Sequence, residues 1–214
     1  MYRVIKRVLD VVISIIALIV LAPLFLAIIT AIKLETPGPA IFKQKRAGLN
    51  SKPFHIYKFR TMKKTAPSLT PSRALVDSKK YITKVGSFLR KTSLDELPQI
   101  INVLKGEMSI IGPRPLIFVE SKILKLRRKK KIDRIYPGIT GLAQINGRDT
   151  LDIYEKIAYD EYYLKHISFF LDIKIFIITI LKVIRKENVV EGSAKDSIRT
   201  TEKNNKRIRM EKLV

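Results

Sequence analysis

The sequence predicts an α+β protein, mainly helical, with a membrane helix at its N-terminus, a small domain built around a β-hairpin, and amphipathic helices at the membrane interface. Three observations carry this. "VVISIIALIVLAPLFLAIITAI", Val11 to Ile32, is uncharged over about 22 residues, long enough at helical rise to cross a hydrocarbon core of roughly 30 Å. Between Thr36 and Met62, short runs of strand formers alternate with Pro/Gly turns. From Lys84 onward, apolar residues recur at helical spacing. The expected division is 1–34 for the membrane helix and its basic flank, 35–187 for a membrane-docked domain, and 188–214 for a disordered basic tail.

The apolar run is too long for the core of a cleavable signal peptide and passes straight into Lys33. Pro23 sits near its middle, where the missing N–H and the ring bend a helix. Arg3, Lys6 and Arg7 precede the run, and Lys33, Lys43, Lys45 and Arg46 follow it, so the cytoplasmic preference of Lys and Arg pulls on both ends. A hairpin entering and leaving on one face satisfies that pull; a kinked transmembrane helix also tolerates the proline.

The hairpin is expected at Ala40–Gln44 and Phe54–Thr61, around Gly48-Leu49-Asn50. Alternation puts Lys58 and Arg60 opposite Tyr57 and Phe59, either as a solvated edge or facing a phosphate. Thr65–Lys80 reads as a loop over or beside a site. A helix begins at Lys84, and a second, "LPQIINVLKGEM", stops at Gly106. "FFLDIKIFIITILKVIRK", Phe169 to Lys186, is too interrupted by charge to span; it reads as an interfacial helix or as a core helix.

Composition narrows the chemistry. Cysteine is absent, which excludes disulfides, thiolate zinc sites and a cysteine nucleophile. With 42 Lys plus Arg against 19 Asp plus Glu, the net charge is +23, and the natural partners are polyanions: nucleic acid, anionic lipid or phosphorylated substrates. The basic run "KLRRKKKIDR", Lys125 to Arg134, lacks the interleaved aromatics that stack bases, which argues against nucleic acid and for lipid head groups.

Against this charge stands "TSLDELPQI", with Asp95 and Glu96 adjacent. A capping box on Ser93 would put Pro98 too deep in the helix; with Asp95 as N-cap, Pro98 falls at the third helical position, where its N–H is not needed. The expected helix therefore starts at Asp95, either as an ordinary acidic helix start or with its free amides facing a phosphate. Two stiff turns follow. "GPRPL" fixes Arg114 between prolines, and "YPGITGLAQINGRDT" carries Arg148 at its tip. Arginine in such settings suits bidentate phosphate recognition.

Taken together, "KRVLDVVISIIALIVLAPLF", "PGPAIFKQKRAGLN", "FHIYKFRTM", "TSLDELPQIINVLKGEMSIIGPRPL" and "YPGITGLAQINGRD" resemble, in order and approximate spacing, the bacterial sugar transferases, the monotopic phosphoglycosyl transferases. The resemblance implies a re-entrant helix bent at Pro23, although Ala22 stands where that family usually has serine. It implies the cytoplasmic face of the bacterial inner membrane, a UDP-sugar donor, a polyprenol (undecaprenyl) phosphate acceptor and anionic lipids as partners. It further implies Asp95 as nucleophile, forming an aspartyl phosphosugar with release of UMP, and Glu96 as ligand of Mg²⁺. Arg148 and Arg114 match phosphate-binding arginines, and Lys58, Arg60 and Arg90 match neighbouring basic positions. The tail segment "TTEKNNK" is similar to a branch using UDP-di-N-acetylbacillosamine or another acetamido sugar. The competing readings are a membrane-anchored polyanion binder without catalysis, and a hydrolase passing the same aspartyl intermediate to water.

Overall fold

The computed structural model describes residues 2–66, 80–147 and 150–185. The architecture is mixed and mainly helical, with two small sheets. Helix α1, Tyr2–Glu35, runs without interruption through Pro23. Its middle exposes Ile15, Ile16, Ile19 and Val20, while its buried residues are Asp10 and Ser14 toward one end and Ile28 and Ile32 toward the other. Both ends rest on the same domain.

That docking follows from what each end carries. Phe25, Ile28 and Ile32 pack against Phe59 and Leu89, closing a small apolar core. Just beyond the helix, Arg60 donates to the carbonyls of Thr36 (2.7 Å) and Pro37 (2.8 Å), gripping the turn that leaves α1. At the other end, Arg7 donates to the Val103 carbonyl at 2.7 Å, Lys6 pairs with Asp172 at 2.8 Å, and Asp10 accepts from the Ser109 hydroxyl at 2.6 Å and the Ile110 amide at 3.2 Å. The cations before the apolar run are thus partners of the domain as well as a basic flank.

Strands β1, Ile41–Ala47, and β2, Pro53–Phe59, pair antiparallel with Ile41 opposite Phe59 and Ala47 opposite Pro53. The expected hairpin is confirmed with shifted bounds. β1 continues past Gln44 because Ala47 bridges to Leu116, donating to its carbonyl at 2.9 Å, and β2 stops at Phe59 instead of Thr61. Phe54 and Ile56 project from one face onto Val103 and Met108, whereas Phe59 projects from the other onto α1.

Helix α2, Lys84–Lys91, is capped twice: the Thr83 hydroxyl accepts from the Gly86 amide, and the Glu35 carboxylate accepts from the Lys84 and Val85 amides at 2.6 and 3.1 Å. Helix α3, Gln99–Leu104, gives way to β3, Ser109–Ile111, after Gly106 at φ 78°, the expected glycine stop. Helix α4, Ser121–Lys129, precedes β4, Gly138–Thr140, which pairs parallel with β3. Helices α5, Leu142–Ile145, α6, Ile153–Lys165, and α7, Phe169–Ile184, complete the described fold. Residues 67–79, most of the expected loop, and 188–214, the expected tail with its "TTEKNNK" segment, lie outside the described residues.

The core reading of α7 holds for one side of it, and the other side is apolar and exposed. Ile175 joins the main core with Ile111, Leu142, Ile145 and Tyr163, while Phe170, Ile177, Ile180 and Ile184 are exposed.

Candidate active site

The path into the dyad departs from the expected helix start. Ser93 adopts left-handed backbone at φ 57° and makes no side-chain cap, and Leu94–Glu96 forms a 3₁₀ turn in which the Leu97 amide donates to the Leu94 carbonyl at 3.2 Å. Asp95 is therefore not an N-cap, and α3 begins at Gln99. Pro98 is the physical reason: having no N–H to give the Leu94 carbonyl, it separates the tight turn from the α-helical ladder that follows. The dyad sits on a 3₁₀ turn and not at the start of an α-helix.

Lys58 reaches this turn by strand periodicity. It follows Phe54 and Ile56 on the face of β2 that packs on α3, so its ammonium arrives at the carboxylates. Asn102, fully buried, sets the spacing: its Oδ1 accepts from the Tyr57 amide at 3.0 Å and its Nδ2 donates to the His55 carbonyl at 2.7 Å, so one side-chain amide imitates a strand edge. Lys58 Nζ then lies 2.8 Å from Glu96 Oε1 and 3.9 Å from Asp95 Oδ2. Burial lowers the Lys58 pKa below the ordinary lysine value, outweighing the opposing pull of Glu96, with Arg114 adding to the depression.

Arg114 closes the cluster. Its guanidinium straddles Glu96, at 2.8 Å from Oε1 and 3.4 Å from Oε2. The loop bearing it lies against the start of the glycine-rich turn: the Gly112 amide donates to the Thr140 carbonyl at 2.8 Å, and the Gly138 amide to the Pro113 carbonyl at 2.9 Å. A Cβ on Gly112 or Gly138 would collide with the facing backbone, so glycine is required for this approach. Beside Arg114 opens a cavity of about 230 Å³ whose wall includes Lys122, Gln144, Lys156, Leu116 and Ile153.

Of the expected site residues, the structure brings together Asp95, Glu96, Lys58 and Arg114. Arg60 is a correction: it is buried and bound to the Thr36 and Pro37 carbonyls, because the chain turns after Phe59 and carries it to the root of α1. Arg90 is half-buried near the end of α2, three residues before the left-handed Ser93, and Arg148 lies outside the described residues.

Two arginines that the sequence reading counted only within basic runs, Arg46 and Arg127, reach the backbone of the Arg114 loop. Arg127 carried a legible signal, since it lies in helical phase with the buried Ile123 and Leu124, where a solvated lysine face would not be.

Among the described residues no cluster of three or more His, Asp or Glu could hold a metal unaided. The two adjacent carboxylates are hard oxygen donors of the kind Mg²⁺ takes, with Glu96 Oε1 here facing Lys58 and Arg114.

A family model described as bacterial sugar transferase matches residues 1–186. The chain is 43% identical to the UDP-glucose:undecaprenyl-phosphate glucose-1-phosphate transferase of Escherichia coli K12, over 84% of this chain and 40% of that protein. It is 40% identical to the uncharacterized sugar transferase EpsL of Bacillus subtilis, over 87% of this chain and 90% of that protein. It is also 40% identical to the UDP-N-acetylgalactosamine-undecaprenyl-phosphate N-acetylgalactosaminephosphotransferase of Aeromonas hydrophila, over 86% of this chain and 44% of that protein. The chain thus spans under half the length of the Escherichia and Aeromonas relatives, whose names state a reaction.

Proposed function

The chain belongs to the bacterial sugar transferase family, and from that premise we propose that it moves a sugar-1-phosphate from a UDP-sugar to a polyprenol phosphate, releasing UMP. The observation that carries the reading is the cluster itself: Asp95 beside a Glu96 held at 2.8 Å by both Lys58 and Arg114. Neutralising cations close to a carboxylate are what a diphosphate substrate needs on approach.

In this mechanism a carboxylate oxygen of Asp95 attacks the sugar-bearing phosphorus. The bond to the bridging oxygen breaks, UMP departs with that oxygen, and an aspartyl phosphosugar remains. A phosphate oxygen of the polyprenol phosphate then attacks the same phosphorus, forming polyprenyl diphosphate sugar and returning the Asp95 carboxylate. Lys58 and Arg114 hold Glu96 in place and balance charge around the donor. Glu96, with Asp95 adjacent, would hold Mg²⁺; when bound, the ion would offset the negative charge of the diphosphate. The cavity beside Arg114 offers room for part of the donor. The relatives' names favour UDP-glucose or UDP-N-acetylgalactosamine as the first donors to test.

The acceptor's lipid tail calls for a membrane, and α1 answers it. The helix is proposed to bend at Pro23 and to enter and leave on the cytoplasmic face, because Lys6, Arg7 and Asp10 at one end and Ile28, Ile32 and Glu35 at the other contact the same domain. A domain on one side of a bilayer cannot hold both ends of a spanning helix. The exposed apolar face of α7 would lie in the interface, with the cations of α4 toward anionic lipid.

The test is UMP release from a UDP-sugar panel with undecaprenyl phosphate and Mg²⁺ in lipid nanodiscs. Release that requires the lipid and disappears in Asp95→Asn supports the transferase. Release without the lipid supports a hydrolase, and salt-sensitive polyanion binding without any release supports the binder. The absence of native cysteine makes topology testable as well: Arg3→Cys and Leu34→Cys should both react with an impermeant maleimide from the cytoplasmic side only.

A further inference from the structure

We propose that the buried Asp160–Arg127 pair is a positioning device for Arg114, fixing the loop from which that guanidinium meets Glu96 and, on the function proposed above, the donor diphosphate. The loop Pro113–Leu116 has four successive carbonyls, and each accepts a hydrogen bond, from three separate segments: Pro113 from the Gly138 amide of β4, Arg114 from Arg127 of α4, and Pro115 and Leu116 from Arg46 and the Ala47 amide of β1. Two of the four residues are prolines, with fixed φ and no N–H, so the loop has little freedom left once these contacts form.

Arg127 makes the contact at the critical residue. Its Nη1 donates to the Arg114 carbonyl at 2.8 Å, while Nε and Nη2 donate to Asp160 Oδ2 at 3.0 and 2.6 Å. Arg127 is 8% exposed and Asp160 2%. A buried ion pair is often no more stabilising than well-packed hydrocarbon of the same volume. What hydrocarbon cannot supply is a rigid fork aimed at a carbonyl between two prolines. Arg46 assists from the half-buried edge, its Nη1 donating to the Pro115 carbonyl at 3.3 Å and its Nη2 to Gln44 Oε1 at 2.6 Å. The chain of contact therefore runs Asp160, Arg127, loop backbone, Arg114, Glu96.

The experiment is a double-mutant cycle on UMP release by the full chain in nanodiscs, joined to hydrogen exchange of the peptide spanning 109–120. Arg127→Lys keeps the charge and loses the fork; it should lower kcat/KM by about tenfold or more, in line with the cost of an ångström-scale misplacement. Combined with Arg114→Ala, the same change should cost less than about twofold, since residues acting through one group are not additive. Arg46→Ala should show a smaller loss with the same dependence on Arg114. Effects of Arg127→Lys that multiply with Arg114→Ala would reduce the pair to a core stabiliser and overturn the inference. If the unmodified chain releases no UMP from any donor, the proposed function fails, and exchange alone decides. Faster exchange in 109–120 of Arg127→Lys, with α3 unchanged, supports positioning. Unchanged exchange there, or a variant that fails to fold while Arg46→Ala leaves both exchange and activity at the unmodified level, overturns it.

Discussion

Two clusters of buried acids show how differently one chain can hold a carboxylate. Glu96 is held by charge: Lys58 and Arg114 both approach to 2.8 Å, and Asp95 stands beside them. Asp172 is held chiefly by neutral donors, the Tyr2 and Tyr163 hydroxyls each at 2.7 Å, with Lys6 adding charge, while the nearby Asp10 takes a hydroxyl and a backbone amide. Burial and Asp172 push the Tyr163 phenol far above its ordinary range, so it stays protonated and donating at any working pH. The hydroxyl cluster ties α1 to α6, α7 and β3 and asks for nothing further. The cationic cluster lines a turn where a polyanion would compete for the same cations, and that competition is what a site requires.

The sharpest way to break this contrast is to exchange the consequences. Asp95→Asn should lower UMP release by about three orders of magnitude or more and leave the thermal midpoint unmoved. Asp172→Ala should do the reverse, costing about 3–5 kcal/mol by stranding Lys6 and two phenols, with turnover per folded molecule retained; activity assays paired with thermal unfolding separate the two. Equal damage to both properties in either variant would refute the division.

Burial places the folded-state pKa of Lys58 below 10.5, so as pH rises through that lowered value the ammonium loses its proton and its positive charge no longer faces Glu96. Activity should therefore fall on an alkaline limb beneath the ordinary lysine range. Folding stability should move the other way, because between the lowered pKa and 10.5 the unfolded chain binds more protons than the folded one and stability rises with pH. Lys58→Arg, which stays charged, should move the activity limb upward and flatten the stability rise. A limb unchanged in that variant would assign it to another group.

Two smaller effects mark the edges of the contrast. Arg60→Ala should destabilise by about 1–3 kcal/mol through the lost bonds to Thr36 and Pro37, with KM for the donor unchanged; a raised KM would return Arg60 to the phosphate site. Lys130→Ala removes an exposed contact to Glu161 and should change stability by less than about 1 kcal/mol in thermal unfolding.

The sequence by itself determined the pieces whose physics is local. An uncharged run of helical length, paired strand runs around a turn, a glycine stop at Gly106, and an arginine locked between prolines are all readable from neighbours along the chain. Asp95 and Glu96 were conspicuous as adjacent acids in a chain of +23 charge. Pro98 by itself forbids a helix from Ser93, yet whether the turn before it is α-helical or 3₁₀ depends on the left-handed Ser93 and on how α2 arrives.

Only the tertiary structure decided what the cations do. Along the chain Lys6, Arg7, Arg46, Lys58, Arg60 and Arg127 differ little, and any of them could face a phosphate or a head group. Folding sends Lys6 to Asp172, Arg7 to the end of α3, Arg60 to the root of α1, Arg46 and Arg127 to one loop, and Lys58 to the dyad. The reason is reach: periodicity fixes the face on which a side chain emerges, whereas its partner, 166 residues away for Lys6 and 96 for Arg7, is set by how separate elements pack.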